Sequence, residues 1–274
     1  MKIIVCIKQV PDLNGPVAVG PDGVLNRGAM GAAVNPEDWH ALEAALVLKE
    51  REGCQVLALS MGPESAAGLL WEALALGADQ AFLVTGREFV GSDTFATAQI
   101  LAAAIDIIGL GREDIILCGR QAIDGDTAQV GPELAARLGL PQGAYAARIS
   151  LAGERVELLR AEEDGGFTRL SLPRPCLLTC LSQLNQPRYM RLDGLLAAEH
   201  KPLTRLGLAE LRRSPLFLED SIGAAGSPTH ILASFSPPPQ AKGVILEDGE
   251  EAYRLVAREI AALCLKPSEE GREL

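Results

Sequence analysis

The chain has 274 residues, of which 48% are hydrophobic, 22% charged and 4% aromatic, so we expect an aliphatic core and not a disordered chain. Its net charge of −11 at pH 7 would repel phosphate backbones, which argues against nucleic-acid binding. No uncharged apolar run approaches the roughly 20 residues of a membrane helix, and the first residues lack a signal-peptide cleavage site. We therefore expect a cytoplasmic protein without membrane insertion.

Strand and helix patterns alternate over residues 1–140. Apolar runs predict strands at 3–7, 55–60, 81–84 and 114–118. Helical spacing, capping residues and closing glycines predict helices at 36–50, 63–76, 92–108 and 126–138. Asn35 and Asp126 are the expected caps of the first and last of these helices. Crossovers of this length predict a mostly parallel, doubly wound, Rossmann-like α/β sheet.

The pattern changes after residue 140. Short runs between Gly-rich or charged turns predict antiparallel additions at 144–151, 154–161, 168–172 and 176–181. A hairpin is expected at 17–26. From residue 185 on, proline and charge dominate, up to one amphipathic helix at Glu250–Cys264. We divide the chain into an α/β nucleotide-binding domain, 1–184, and an extended arm, 185–274, that wraps a partner or the parent domain.

The sequence offers no constellation for metal binding or nucleophilic catalysis. The six cysteines include no C-x-x-C pair, and the three histidines are scattered. Cys176 and Cys180 would share one face of a strand at a separation of about 13 Å, which is too far for a disulfide. We expect reduced structural thiols, no metal site and no catalytic residue.

The most unusual stretch is the loop at 119–132, where small and polar residues follow a strand and lead into a helix. Free backbone N–H groups and the helix dipole favour a phosphate at such a junction. Its two aspartates would repel a phosphate, so donors must come from N–H groups, polar side chains or Arg120. P-loop and G-x-G-x-x-G motifs are absent. Spacing alone leaves open both a nucleotide or phosphate site and a well-capped loop without a ligand. Lys8 and Arg27 could each reach a cofactor or be solvated.

Six separated motifs occur in an order that is typical of one family. They are KQVPD at 8–12, NP at 35–36, ALEAALVLKE at 41–50, GAD at 77–79, GRQAIDGDTAQVGP at 119–132 and NQPRY at 185–189. With these motifs the chain resembles the small (beta) subunit of electron transfer flavoproteins over about residues 1–200. The resemblance implies a heterodimer with a larger alpha subunit that carries an FAD, and an adenine nucleotide bound by the small subunit.

The resemblance also assigns nucleotide contacts. They map onto Cys6, Asn35, Asp38, Met61, Gln121, Ala122, Ile123, Asp124, Gly125, Asp126, Thr127, Ala128, Gln129, Val130, Gly131 and Pro132. One branch of the family holds AMP there, whereas the other holds a second FAD that accepts a hydride from NADH. The small residues of the loop and GSPT at 226–229 resemble the second branch, with its bifurcating and nitrogen-fixation members. FAD is therefore the expected cofactor, and AMP is the alternative.

Residues 185–196 resemble the recognition arm that docks an acyl-CoA dehydrogenase or another flavoprotein, and its anchoring leucine maps onto Leu192. Residues 197–201 carry few lysines where mitochondrial-type members have a basic cluster, which leaves the identity of the dehydrogenase open. Bifurcation would send one electron to the flavin of the alpha subunit and one to an acceptor such as ferredoxin. The expected role is an electron carrier subunit, not an enzyme in itself. The alternatives are a non-bifurcating carrier with structural AMP and a universal-stress-like nucleotide-binding module.

Overall fold

A computed structural model describes residues 1–12, 31–230 and 246–264, so the predicted hairpin at 17–26 and Arg27 lie outside the described residues. The chain forms two compact units, Met1–Ser234 and Phe235–Leu274. The division at 184/185 stays a prediction. Among the described helices, none is long and apolar enough to cross a membrane.

The bounds of the elements are as follows. The strands are β1 (Lys2–Cys6), β2 (Gln9–Pro11), β3 (Ala32–Val34), β4 (Gln55–Met61), β5 (Gln80–Val84), β6 (Ile115–Gly119), β7 (Gln142–Ala152), β8 (Arg155–Ala161), β9 (Phe167–Pro173), β10 (Cys176–Cys180) and β11 (Leu203–Leu206). The helices of the first unit are α1 (Pro36–Glu52), α2 (Ala67–Leu76), α3 (Thr94–Ile108), α4 (Val130–Leu138), α5 (Leu192–Ala198), α6 (Leu208–Leu211) and α7 (Gly223–Gly226). The second unit contains α8 (Glu250–Cys264).

A nine-stranded sheet with the order β11-β5-β4-β1-β6-β10-β7-β8-β9 organises the first unit. Its strands pair in parallel from β11 to β7, whereas β8 and β9 are antiparallel additions. The predicted mostly parallel α/β fold is therefore confirmed. The antiparallel prediction for 176–181 is wrong, because β10 lies parallel between β6 and β7, and the prediction for 144–151 holds only on the side of β7 that pairs with β8. All five residues of β10 are buried, as expected of a central parallel strand.

The two faces of the sheet pack against different helices. Ile3 and Val5 of β1 contribute to one apolar cluster with α1 and α2, whereas Ile4 contributes to a second cluster with α3 and α4. This alternation is the two-residue period of a strand that is buried on both faces. Full burial of each such aliphatic side chain contributes about 1.5–3 kcal/mol. The core is thus built from aliphatic residues, as the low aromatic content predicts.

The predicted cap Asp126 is wrong, whereas Asn35 is the N-cap residue of α1 as predicted but does not cap through its side chain. α4 begins at Val130 and not near Asp126, because left-handed backbone at Asp126 (φ 52°) and Ala128 (φ 54°) interrupts the helix. Asn35 does precede α1, but its side chain makes no capping hydrogen bond. Both polar side chains instead bond to groups of the loop at 119–132.

Part of the predicted arm packs within the first unit. β11 pairs in parallel with β5 at the edge of the sheet. α5 packs on α2 so closely that a Cβ on Gly194 would clash with the carbonyl oxygen of Ala75. The sequence pattern does not predict β11, because four residues that follow a proline give too short a period to recognise.

Candidate functional site

β1 and β6 are adjacent parallel strands, and we call the region at their carboxyl ends the crevice. β1 leads towards α1 on one face of the sheet, and β6 leads into α4 on the other. Ligands of doubly wound sheets bind where neighbouring connections diverge in this way. The structure therefore brings the N-terminus of α1 and the loop at 119–132 together at one crevice.

Asp38 connects the backbone that follows β1 with the last residue of β6. The amide of Lys8 donates to Asp38 Oδ2 at 2.8 Å, and the amide of Gly119 donates to Oδ1 at 2.9 Å. The residue is only 5% exposed, and burial raises the pKa of its carboxyl to about 7, although these amides and Asn35 favour the ionised form. A Cβ on Gly119 would lie 2.5 Å from Asp38 Oδ1. Asp38 therefore orders the backbone around the crevice.

Asn35 and Glu37 hold the first residues of the loop. Asn35 Nδ2 donates to the carbonyl of Gln121 at 2.8 Å, and the amide of Ile123 donates to Asn35 Oδ1 at 3.1 Å. The amide of Gln121 donates to Glu37 Oε2 at 3.1 Å, and Arg120 pairs with the other carboxylate oxygen. The sequence does not predict this contact of Glu37 with the loop. An acidic residue in the first turn of α1 is the signal that could have found it.

The two aspartates of the loop are bonded to neighbouring side chains. Lys8 Nζ lies 2.7 Å from Asp124 Oδ1, and the Asp124 side chain is only 7% exposed. Gln121 Nε2 donates to Asp126 Oδ1. These contacts reduce the repulsion that the sequence predicts between the aspartates and a phosphate.

The end of the loop has the backbone geometry of an anion site. Ala128 is left-handed (φ 54°) and Gln129 is right-handed (φ −102°, ψ −30°). Successive residues of opposite hand turn their N–H groups into one concavity that binds anions. α4 begins directly after it, which adds the positive end of a helix dipole. The loop therefore suits a phosphate or a diphosphate.

Gly131 seats the first turn of α4 against the sheet. A Cβ at this position would lie 2.7 Å from Thr179 Cγ2 and 2.9 Å from Cys118 Sγ. The glycine is therefore required by close packing on β6 and β10. The Gly125 position differs, because a Cβ there would meet nothing within 4 Å. The first turn of α4 is thus tightly seated, whereas residue 125 of the preceding loop is exposed.

Cys6 and Met61 end β1 and β4 on the face of the sheet that α3 and α4 cover. β4 is separated from the loop at 119–132 by β1, so Met61 lies further from the loop than Cys6 does. Burial, together with the charge of Asp38, raises the pKa of Cys6 to about 12, and burial also raises the pKa of Cys118 and Cys180. These thiols are protonated at neutral pH and do not act as nucleophiles.

Leu192 lies away from this crevice, at the start of α5, and 73% of it is exposed. Tyr189 is 91% exposed and Leu196 is 62% exposed. An exposed apolar cluster of this kind is typical of an interaction surface.

Comparison with known proteins gives consistent matches. Residues 22–211 match the family model described as "Electron transfer flavoprotein domain". The chain is 51% identical to the acryloyl-CoA reductase electron transfer subunit gamma of Anaerotignum propionicum, over 93% of this chain and 97% of the relative. It is 42% identical to the caffeyl-CoA reductase-Etf complex subunit CarD of Acetobacterium woodii, over 90% and 92%. It is 41% identical to the electron transfer flavoprotein subunit beta of Thermoanaerobacterium thermosaccharolyticum, over 94% and 97%.

Proposed function

The chain belongs to the electron transfer flavoprotein family, as a beta-type subunit, and on this basis we propose that the crevice at the ends of β1 and β6 binds FAD. The observation that carries the proposal is the anion-binding backbone at Ala128 and Gln129, which directly precedes α4. The diphosphate of FAD would accept hydrogen bonds from these N–H groups. AMP is the alternative, because one phosphate suits the same backbone.

Two observations favour FAD over AMP. A Cβ on the exposed Gly125 would meet nothing within 4 Å, and Ala128 and Val130 follow it, so these residues add little bulk that would obstruct the second half of a dinucleotide. One relative is named as an electron transfer subunit of acryloyl-CoA reductase, and another as a subunit of a caffeyl-CoA reductase-Etf complex. A second flavin would suit such a role, since the two electrons of one hydride could then go to two different acceptors, the alpha-bound flavin and a low-potential carrier.

A bound FAD would supply hydride acceptance and one-electron transfer, and the chain itself would bind and orient it. Asn35 and Glu37 would keep 121–123 in place, and the Lys8–Asp124 pair would hold the turn that follows. Asp38 would hold the backbone at Lys8 and Gly119, at the ends of β1 and β6. We include NADH as the electron donor and ferredoxin as the low-potential acceptor in this proposal.

The proposal assigns two further surfaces to protein partners. Tyr253, Val256 and Ile260 recur at helical spacing on α8 and are exposed within their unit. We assign this face to the alpha subunit, consistent with the predicted wrapping arm. Leu192 and its exposed neighbours would dock an acyl-CoA-dehydrogenase-type flavoprotein.

Cofactor content tests the proposal directly. The chain is co-expressed with its alpha subunit, the purified heterodimer is denatured, and released FAD and AMP are quantified by chromatography. Two FAD and no AMP per heterodimer are expected. Gly131→Leu, which would push α4 away from the sheet, should remove one FAD and leave the alpha-bound FAD as an internal control. One FAD with one AMP would reject the FAD assignment in favour of the simple carrier.

A further inference from the structure

α1 makes a second set of contacts, with residues 185–198, which we call the docking segment. Arg188 Nε donates to Glu43 Oε2 at 2.8 Å, and Arg188 Nη2 donates to Glu43 Oε1 at 2.9 Å. The backbone amide of Arg188 also donates to Glu43 Oε2, at 3.1 Å. Glu43 is only 8% exposed. A buried carboxylate therefore holds both the side chain and the backbone of one residue of the segment.

Two more residues of α1 extend this contact. Arg188 Nη1 donates to Glu50 Oε1 at 2.5 Å. Asn185 Nδ2 donates to the carbonyl of His40 at 2.8 Å, and His40 Nδ1 lies 2.9 Å from the carbonyl of Asn185. His40, Glu43 and Glu50 are spaced by three and seven residues, so they share one face of α1. The docking segment is thus fastened along this face.

The other end of the docking segment is fastened to α2. Gly194 packs against the backbone of Ala75, and Ala198 is 2% exposed. Lys201 Nζ, just beyond the segment, donates to the carbonyls of Leu74 and Ala78 at 2.8 Å. The exposed apolar side chains lie between the two fastened ends.

We propose that Glu43 and Arg188 form a positioning clamp that orders the docking segment in advance for an acyl-CoA-reducing flavoprotein. The partner part of the proposal rests on the docking role given above to Leu192. Because the segment is ordered on folding, less conformational freedom is lost when the partner binds. The exposed side chains of Tyr189, Leu192 and Leu196 would then be held in place for the partner and would not pack against the chain's own surface. Glu43 and Glu50 also raise the pKa of Arg188, so the guanidinium stays charged across the physiological range.

The clamp itself is tested without any partner. Glu43→Gln keeps the shape of the side chain but turns an amide donor towards Arg188. The amide of Arg188 donates to Glu43, so its hydrogen exchange in the purified alpha–beta heterodimer should become at least about tenfold faster. Glu52→Gln, the same change at an exposed position of the same helix, should leave it unchanged. Wild-type exchange in Glu43→Gln would overturn the clamp.

Binding to purified acryloyl-CoA reductase of Anaerotignum propionicum tests the consequence. Glu43→Gln should weaken the affinity of the heterodimer at least about tenfold, with cofactor content unchanged. Leu192→Ala tests the docking surface separately. If Leu192→Ala weakens binding and Glu43→Gln does not, the positioning role is refuted. If wild-type protein fails to bind or Leu192→Ala binds normally, the docking proposal fails, and hydrogen exchange alone decides the clamp. Should Glu43→Gln fail to assemble, Arg188→Lys, which loses the fork but keeps the charge, takes its place in both experiments.

Discussion

Two buried aspartates at opposite ends of the sheet allow folding and ligand binding to be separated. Asp38 accepts the amides of Lys8 and Gly119 at the carboxyl end of the strands. Asp114 accepts the amides of Lys2 and Gly111, at 2.6 and 2.7 Å, at the amino end. Their exposed fractions are 5% and 3%. We predict that Asp38→Asn and Asp114→Asn both reduce stability, and that only Asp38→Asn also weakens nucleotide binding.

The expected magnitude follows from the amides. The Oδ1 atom of an asparagine can accept a hydrogen bond from one of the two backbone amides. Its NH2 group then faces the other amide, which leaves a buried donor without an acceptor. Such a group lowers the free energy of unfolding by about 1–3 kcal/mol. At Asp38 the displaced amide belongs to the wall of the crevice, so a similar loss in binding would weaken nucleotide affinity by roughly 5- to 150-fold.

The assay pairs denaturant unfolding of each heterodimer, at one protein concentration and at acidic pH where the contribution of Asp38 is greatest, with titration of FAD into nucleotide-depleted protein. Asp114→Asn controls for any effect that lowered stability has on binding. Equal loss of affinity in the two variants would refute the reasoning, because the effect would then come from general destabilisation. Unchanged stability in Asp38→Asn would also refute it, because the hydrogen bonds from the two amides to the carboxylate would then contribute nothing to the free energy of unfolding.

Three more predictions follow from the same geometry. Because the pKa of Asp38 is raised from 3.8 to about 7 in the folded protein, its contribution to stability is complete below the lower value and is lost as pH rises through the higher one. The free energy of unfolding should therefore fall over that range relative to Asp38→Asn, so the stability loss predicted for Asp38→Asn is largest at acidic pH and shrinks towards pH 7, as pH-dependent denaturation would show, and parallel profiles would contradict this. Ala128→Gly should stabilise the chain by about 0.5–1 kcal/mol, because glycine adopts the left-handed backbone without strain; a lower melting temperature would argue against that strain. Gly131→Ala should lower the free energy of unfolding by about 1–3 kcal/mol, because the added Cβ would clash with Thr179 and Cys118, and should lower the nucleotide content of the heterodimer. Full nucleotide occupancy in this variant would show that α4 can shift to make room.

The predictable part of this fold is the part that local patterns determine. The helix at 92–108 is α3, with Asp93 capping through the amide of Ala96 at 3.0 Å, because capping and helical periodicity act within a few residues. β10 is misassigned as antiparallel because a short apolar run carries no information about the direction of its neighbours.

The site shows the same limit. A candidate position after β6 can be predicted, since free backbone N–H groups at the start of a helix favour a phosphate. The left-handed backbone at Asp126 and Ala128 cannot, because neither residue is a glycine and the surrounding contacts impose the conformation. The Glu43–Arg188 pair spans 145 residues, a separation that no local pattern encodes.

α1 also restricts how this chain can vary in evolution. It carries the crevice contacts in its first turn and the clamp further along. The spacing between Asp38 and Glu43 therefore sets the distance and the angle between the proposed nucleotide site and the proposed clamp. One inserted residue would advance the clamp by about 1.5 Å and rotate it by roughly 100° around the helix axis, which would turn Glu43 away from Arg188. Insertions should therefore accumulate in the β7–β8 turn or beyond α7, while the length of α1 between these residues is kept.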